Sequence, residues 1–216
     1  MLHLNVTSVD QSLAFYRDVL GLEMRTPPTV PRAGAALVAE PGALLKTVVL
    51  RLPGASFQME LVEWSGTPLR PQQQRIQDPG AVMLAMDVRN LDAMLSGAKK
   101  LGLRVLTEGG QPVAFDGPRG RTRTVMVRDA DGFVVELVEG GSPASAAGSG
   151  TGAVSEIAMY LTVVDLAQTV TFYSKVFGFD MVAPGAARPT SERIQTFFGD
   201  KTLATWSLGG RNTPES

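Results

Sequence analysis

The sequence predicts an α+β protein assembled from repeated β-α-β-β-β units, and three observations predict it. The opening stretch "MLHLNVTSVDQSLAFYRDVLGLEM" returns at Ala158–Met181 as "AMYLTVVDLAQTVTFYSKVFGFDM". "MELVEW" at Met59–Trp64 returns as "VELVEG" at Val135–Gly140. A small, polar, glycine-rich run, "EGGSPASAAGSGTGA" at Glu139–Ala153, divides the chain and has the composition of a flexible linker.

Each element has its own signature. Leu2, Leu4 and Val6 alternate with polar residues, as in a strand with one buried face, and Leu13, Tyr16 and Leu20 then fall at helical spacing. Ser8 with Gln11 forms a capping box, as does Asp165 with Gln168 in the later copy. Gly21 and Gly178 stand where a helix is closed by a left-handed residue. "VMLAMDVRNLDAMLSGAKKLGL" repeats the strand-then-helix plan, with Leu91, Met94, Leu95 and Ala98 as the buried stripe. "VMVRDADGFVVELVE" reads as a hairpin turning at Asp131-Gly132. "PGASF" at Pro53–Phe57 is a turn before a strand, and "RPQQQRIQDPG" at Arg70–Gly80 is a polar connector. The expected division is therefore residues 1–77 and 78–141 as two modules, 142–153 as linker, and 154–216 as an incomplete third module. By the same patterning, the third is expected to have strands around Phe179–Val182 and Leu203–Leu208.

Composition bounds the function. The chain has 216 residues, 44% of them hydrophobic, and a net charge of −1. Such a balance leaves no electrostatic footprint for nucleic acid. The cluster Arg119, Arg121, Arg123 and Arg128 reads as a solvated hairpin face. Cysteine is absent, which removes disulfides, thiolate metal sites and a cysteine nucleophile. No apolar run approaches the roughly 18 residues of a membrane span, and no signal segment opens the chain. A cytoplasmic location is the default expectation, although a start inside a strand pattern leaves room for a leader upstream. With His3 as the one histidine no Ser/His/Asp order is credible, and no phosphate-binding glycine loop matches the known patterns.

"HLNVTSVDQSLAFYRDVLGLEM", "FQMELVEW" and "VRDADGFVVELVE" together resemble the vicinal-oxygen-chelate superfamily, which includes glyoxalase I, methylmalonyl-CoA epimerase, extradiol dioxygenases and the fosfomycin- and bleomycin-resistance proteins. The resemblance covers residues 1–141 and part of the third module. It implies tandem βαβββ modules pairing into a curved sheet around a cavity. It also implies metal ligands drawn from the first and last strand of each module. Carried over by position, the last-strand ligands fall on Glu60 and Glu136, each between apolar neighbours. The first-strand positions fall on Met1, Met83 and Ala158. His3 shares the face of Met1 but lies one pleat along, about 6–7 Å away. Thioethers are poor ligands for Zn, Mg or Mn beside carboxylates.

Two functional readings stand open from this resemblance. The first is a small-molecule-binding protein of the glyoxalase/bleomycin-resistance type with an eroded or absent metal site. Its small organic ligand would lie among Met1, His3, Asn5, Gln58, Met83, Ala85 and Asp87. The second is a divalent-metal-dependent lyase or isomerase, glyoxalase- or epimerase-like. It would use Glu60 and Glu136 as catalytic residues, with Glu60, Glu136 and His3 holding one ion among Mg, Zn, Ni, Mn or Fe. Extradiol cleavage, which takes two histidines, is not expected. The incomplete third module is expected either to belong to a longer chain or to pair, with module one or two of the same chain or with a second chain in a homodimer.

Overall fold

The structure, a computed structural model, describes residues 1–52, 58–70, 74–117, 120–140 and 153–179. The turn at Pro53–Phe57, Arg119, most of the linker, and the strands expected at Phe179–Val182 (beyond Phe179) and Leu203–Leu208 lie outside the described residues.

The first unit opens with β1 (Leu2–Val6) and α1 (Val9–Leu13), which runs on as a π-helical turn (Ala14–Val19). Short strands β2 (Glu23–Met24) and β3 (Arg32–Ala33) and one turn of helix, α2 (Ala35–Val38), lead to β4 (Leu44–Arg51) and β5 (Gln58–Ser65). The second repeats the plan: β6 (Val82–Val88), α3 (Leu91–Lys100), β7 (Arg104–Val105), β8 (Val113–Gly117), β9 (Gly120–Arg128) and β10 (Val134–Gly140). Beyond Gly152 come β11 (Val154–Leu161) and α4 (Leu166–Phe177).

The strands form two curved, open sheets rather than one continuous sheet. The first has the order β1-β5-β4-β2, with β3 also on β4; the second has the order β11-β6-β10-β9-β7, with β8 also on β9. In both, the unit's first strand lies parallel to its last, β1 to β5 and β6 to β10, and the other pairings are antiparallel. A parallel neighbour demands a crossover, which the helix supplies across the back of the sheet. Alternation then divides each strand between two faces. Leu4, Val6, Met59 and Leu61 of the first sheet and Leu84, Met86, Val135 and Leu137 of the second point to the helices and join one shared core. The expected helix stripes fill it: Leu13, Tyr16 and Leu20 from the first unit, Leu91, Met94, Leu95 and Ala98 from the second.

The local signals act as their chemistry suggests. The Ser8 hydroxyl accepts from the Gln11 amide at 3.3 Å, and the Asp165 carboxylate from the Gln168 amide at 2.8 Å. Gly21 (φ 76°) and Gly178 (φ 68°) are left-handed, and Gly132 (φ 89°) closes the β9–β10 hairpin. Among the described residues no helix is long and apolar enough to cross a membrane.

Candidate functional site

The second face of each sheet, turned away from the helices, carries all of the residues expected at the site except Met1, which precedes β1. On the first sheet these are His3, Asn5, Gln58 and Glu60, and on the second Met83, Ala85, Asp87 and Glu136. The register is the same in the two units: Leu2 pairs with Met59 as Leu84 pairs with Val135, so Met1 and Met83 are equivalent, as are His3 and Ala85.

That register brings His3 opposite Glu60. Its Nδ1 lies 2.8 Å from Glu60 Oε2, with the His3 side chain 57% exposed and that of Glu60 18%. No sliding of the strand is needed for His3 to reach this carboxylate. In the second unit alanine stands where His3 would be, and the equivalent carboxylate is enclosed. Glu136 is 6% exposed and accepts from Thr124 Oγ1 at 2.8 Å. Met83, Met126 and Val134 form a small cluster on the same face, with Ile76, Leu106 and Phe115 packed against it. Met1, at the strand's free start, is 70% exposed.

Glu60 and Glu136 lie on different sheets, and among the described residues no three His, Cys, Asp or Glu side chains converge in a way that could hold an ion.

A cavity of about 510 Å³ runs along the free edge of β1, touching each residue from Leu2 to Thr7. His3 and Asn5 line it; Met1, Gln58, Glu60, Met83, Ala85, Asp87 and Glu136 do not. Residues that the sequence did not single out complete the wall: Trp64, Leu69 and Arg70 from the end of β5 and the connector, Asp129, Asp131 and Phe133 from the β9–β10 hairpin, and Met159 from β11. Trp64 was within reach of pattern reading, since alternation from Glu60 through Val62 puts it on the same face.

The hairpin aspartates also tie the two units together. Asp131 Oδ1 accepts from both the amide (2.9 Å) and the hydroxyl (2.6 Å) of Thr7. Asp129 Oδ2 accepts from Tyr16 Oη at 2.8 Å, while its Oδ1 holds the amides of Asp131 and Phe133. Burial raises the Asp129 pKa above its ordinary 3.8, against the lowering effect of these hydrogen bonds. Burial also pushes the Tyr16 hydroxyl well above its ordinary value, with the nearby Asp129 charge adding to it.

No curated protein matches the chain in sequence. A glyoxalase family protein from Bacillus cereus superimposes with a TM-score of 0.53 at 17% identity, over 64% of this chain and 91% of that one. The V278E mutant of glyoxalase I from Zea mays superimposes with a TM-score of 0.55 at 18% identity, over 85% of this chain and 56% of that one. At these identities the likeness is one of fold. The model of the Glyoxalase/Bleomycin resistance protein/Dioxygenase superfamily matches residues 1–137, from β1 into β10. The chain belongs to that superfamily.

Proposed function

We propose that the protein binds a small organic molecule in the cavity along β1, and that it does so without a metal ion held by Glu60, Glu136 and His3. One observation carries the reading. The open cavity of about 510 Å³ includes His3 and Asn5 but neither of the carboxylates that a metal-dependent relative would use. Its lining is mainly apolar with a few polar anchors, the composition of a ligand pocket. Residues 1–77 and 78–141 act as the paired modules that build it, and 154–216 as a third. A cytoplasmic location goes with this reading, in keeping with the cysteine-free sequence.

The alternative is a divalent-metal-dependent lyase or isomerase using Glu60 and Glu136. It is favoured by their matched places on the two final strands. A thermal-shift screen of small organic molecules, run with and without EDTA, separates the two. A ligand at about 100 times its Kd stabilises by roughly 2.7 kcal/mol, a readable shift. The binding reading expects shifts that survive EDTA. Shifts that appear only with an added divalent ion would favour the lyase.

A further inference from the structure

We propose that the β1 cavity takes a planar aromatic molecule bearing an anionic group, with Trp64 as the stacking surface and Arg70 as the counter-ion. This rests on the small-molecule reading above and deepens it.

Trp64 is held at both ends of its ring system. At one end Nε1 donates to Asn5 Oδ1 at 3.0 Å. At the other the six-membered ring packs over Gly34, where an added Cβ would stand 2.7 Å from Trp64 Cζ3 and 2.9 Å from Leu45 Cδ2. The ring is half-buried and lines the cavity. An indole fixed at both ends loses no rotamer freedom when a second ring stacks on it, so the surface is ready for a planar ligand before one arrives. Leu69, Val82, Phe133 and Met159 provide apolar wall around it, with the Met159 thioether suited to the edge of an aromatic ring.

The uncommitted charges of the wall set the charge of the ligand. Arg70 is exposed at the cavity wall and lies within ion-pair distance of no carboxylate among the described residues. The acidic residues of the wall are engaged: Asp129 by Tyr16 and two turn amides, Asp131 by the amide and hydroxyl of Thr7. Asp131 Oδ2 is buried without a partner, and it is closed off from solvent. A guanidinium with no acid partner beside an aromatic surface suits a carboxylate or a similar planar anion.

Isothermal titration calorimetry with three probes on the full chain tests this: 2-naphthoate, 2-naphthylmethanol and 2-naphthylmethylammonium. The expected result is one naphthoate per chain, bound about tenfold or more tighter than the alcohol. Arg70→Gln should abolish that preference and leave the affinity for the alcohol unchanged. Trp64→Phe, which keeps a ring and the fold, should weaken both. The proposal is overturned if the ammonium probe binds best, because the aspartates would then govern the site, or if Arg70→Gln leaves naphthoate binding intact. It is also overturned if no naphthyl probe binds. In that case other molecules that still raise the melting temperature through EDTA would keep the small-molecule reading, and none doing so would end that reading as well.

Discussion

Glu60 and Glu63 stand three positions apart in one strand and do unrelated work. Glu60 lies on the sheet face turned away from the helices and meets His3, whereas Glu63 faces the helix and accepts from the Val9 amide at 2.8 Å, the first residue of α1. The second unit repeats the division. Glu136 meets Thr124, and Glu139 accepts from the Leu91 amide at 3.0 Å, the first residue of α3. A carboxylate there satisfies an orphan donor and complements the helix dipole. Glu63→Ala should cost about 0.5–2 kcal/mol in urea unfolding, the range for a lost cap, and Glu63→Gln, which keeps an acceptor, should cost less. The first glutamate of each "ELVE" was legible as a position on the sheet face turned away from the helices. The second was not, because a cap supplied by a distant strand leaves no mark near the helix. Asp129 gives a pH test. Its pKa in the fold is raised above the ordinary 3.8 by burial. The folded protein therefore holds a proton that the unfolded chain releases as pH rises through that window, and stability from this group is lost with rising pH. Asp129→Asn carries no such titration. The stability of the wild type relative to this variant should fall between pH 4 and pH 7, which urea unfolding at both values would measure. A difference that stays flat or grows would contradict the raised pKa.

At the scale of elements, the seam between the helical layers depends on one glycine. A Cβ on Gly97 of α3 would come within 2.8 and 2.9 Å of the two Val19 methyl carbons. Gly97→Ala should gain up to about 1 kcal/mol in helix propensity yet lose roughly 1–3 kcal/mol to overpacking against a stiff, β-branched side chain. A net loss is expected, and Val19→Ala in the same chain should recover it; additive losses in that double-mutant cycle would show that the two residues do not meet. The helix stripes and the hairpin turn were readable because each is set by local period and turn chemistry. The pairing of β11 with β6 was readable only as one of the alternatives, beside a partner in module one or in a second chain. Its register joins Leu84 to Met159, which occupy the same place relative to α3 and α4, so two copies of one repeat meet about a local two-fold. Repetition in sequence announces that units match, but it does not say which pair will share an edge.

For the whole molecule, the expected tandem βαβββ modules are present as two curved sheets that share a core. Among the described residues no strand pairing joins the first unit to the second. The buried apolar seam does, with the Thr7–Asp131 and Tyr16–Asp129 bonds at its rim. Tyr16→Phe removes a bond to a buried carboxylate and should cost roughly 1.5–3 kcal/mol. It should lower the unfolding midpoints reported by the two sheets together, as read by hydrogen exchange at amides of β5 and β10; a loss confined to one sheet would contradict a common core. The repeated Phe-Tyr pair takes different surroundings in its two copies. Phe15 and Tyr16 are buried, while Phe172, Val176 and Phe177 of α4 are exposed among the described residues. The cavity was legible only in part, because it forms where β1, the connector and the hairpin of the other unit come together, and such a meeting of distant segments has no local signature. The proposed function rests on that cavity rather than on the paired carboxylates. Metal content of the protein purified without chelator tests it most directly. Well under one equivalent of Zn, Ni, Fe or Mn per chain is expected, whereas a stoichiometric ion that Glu60→Gln releases would contradict it.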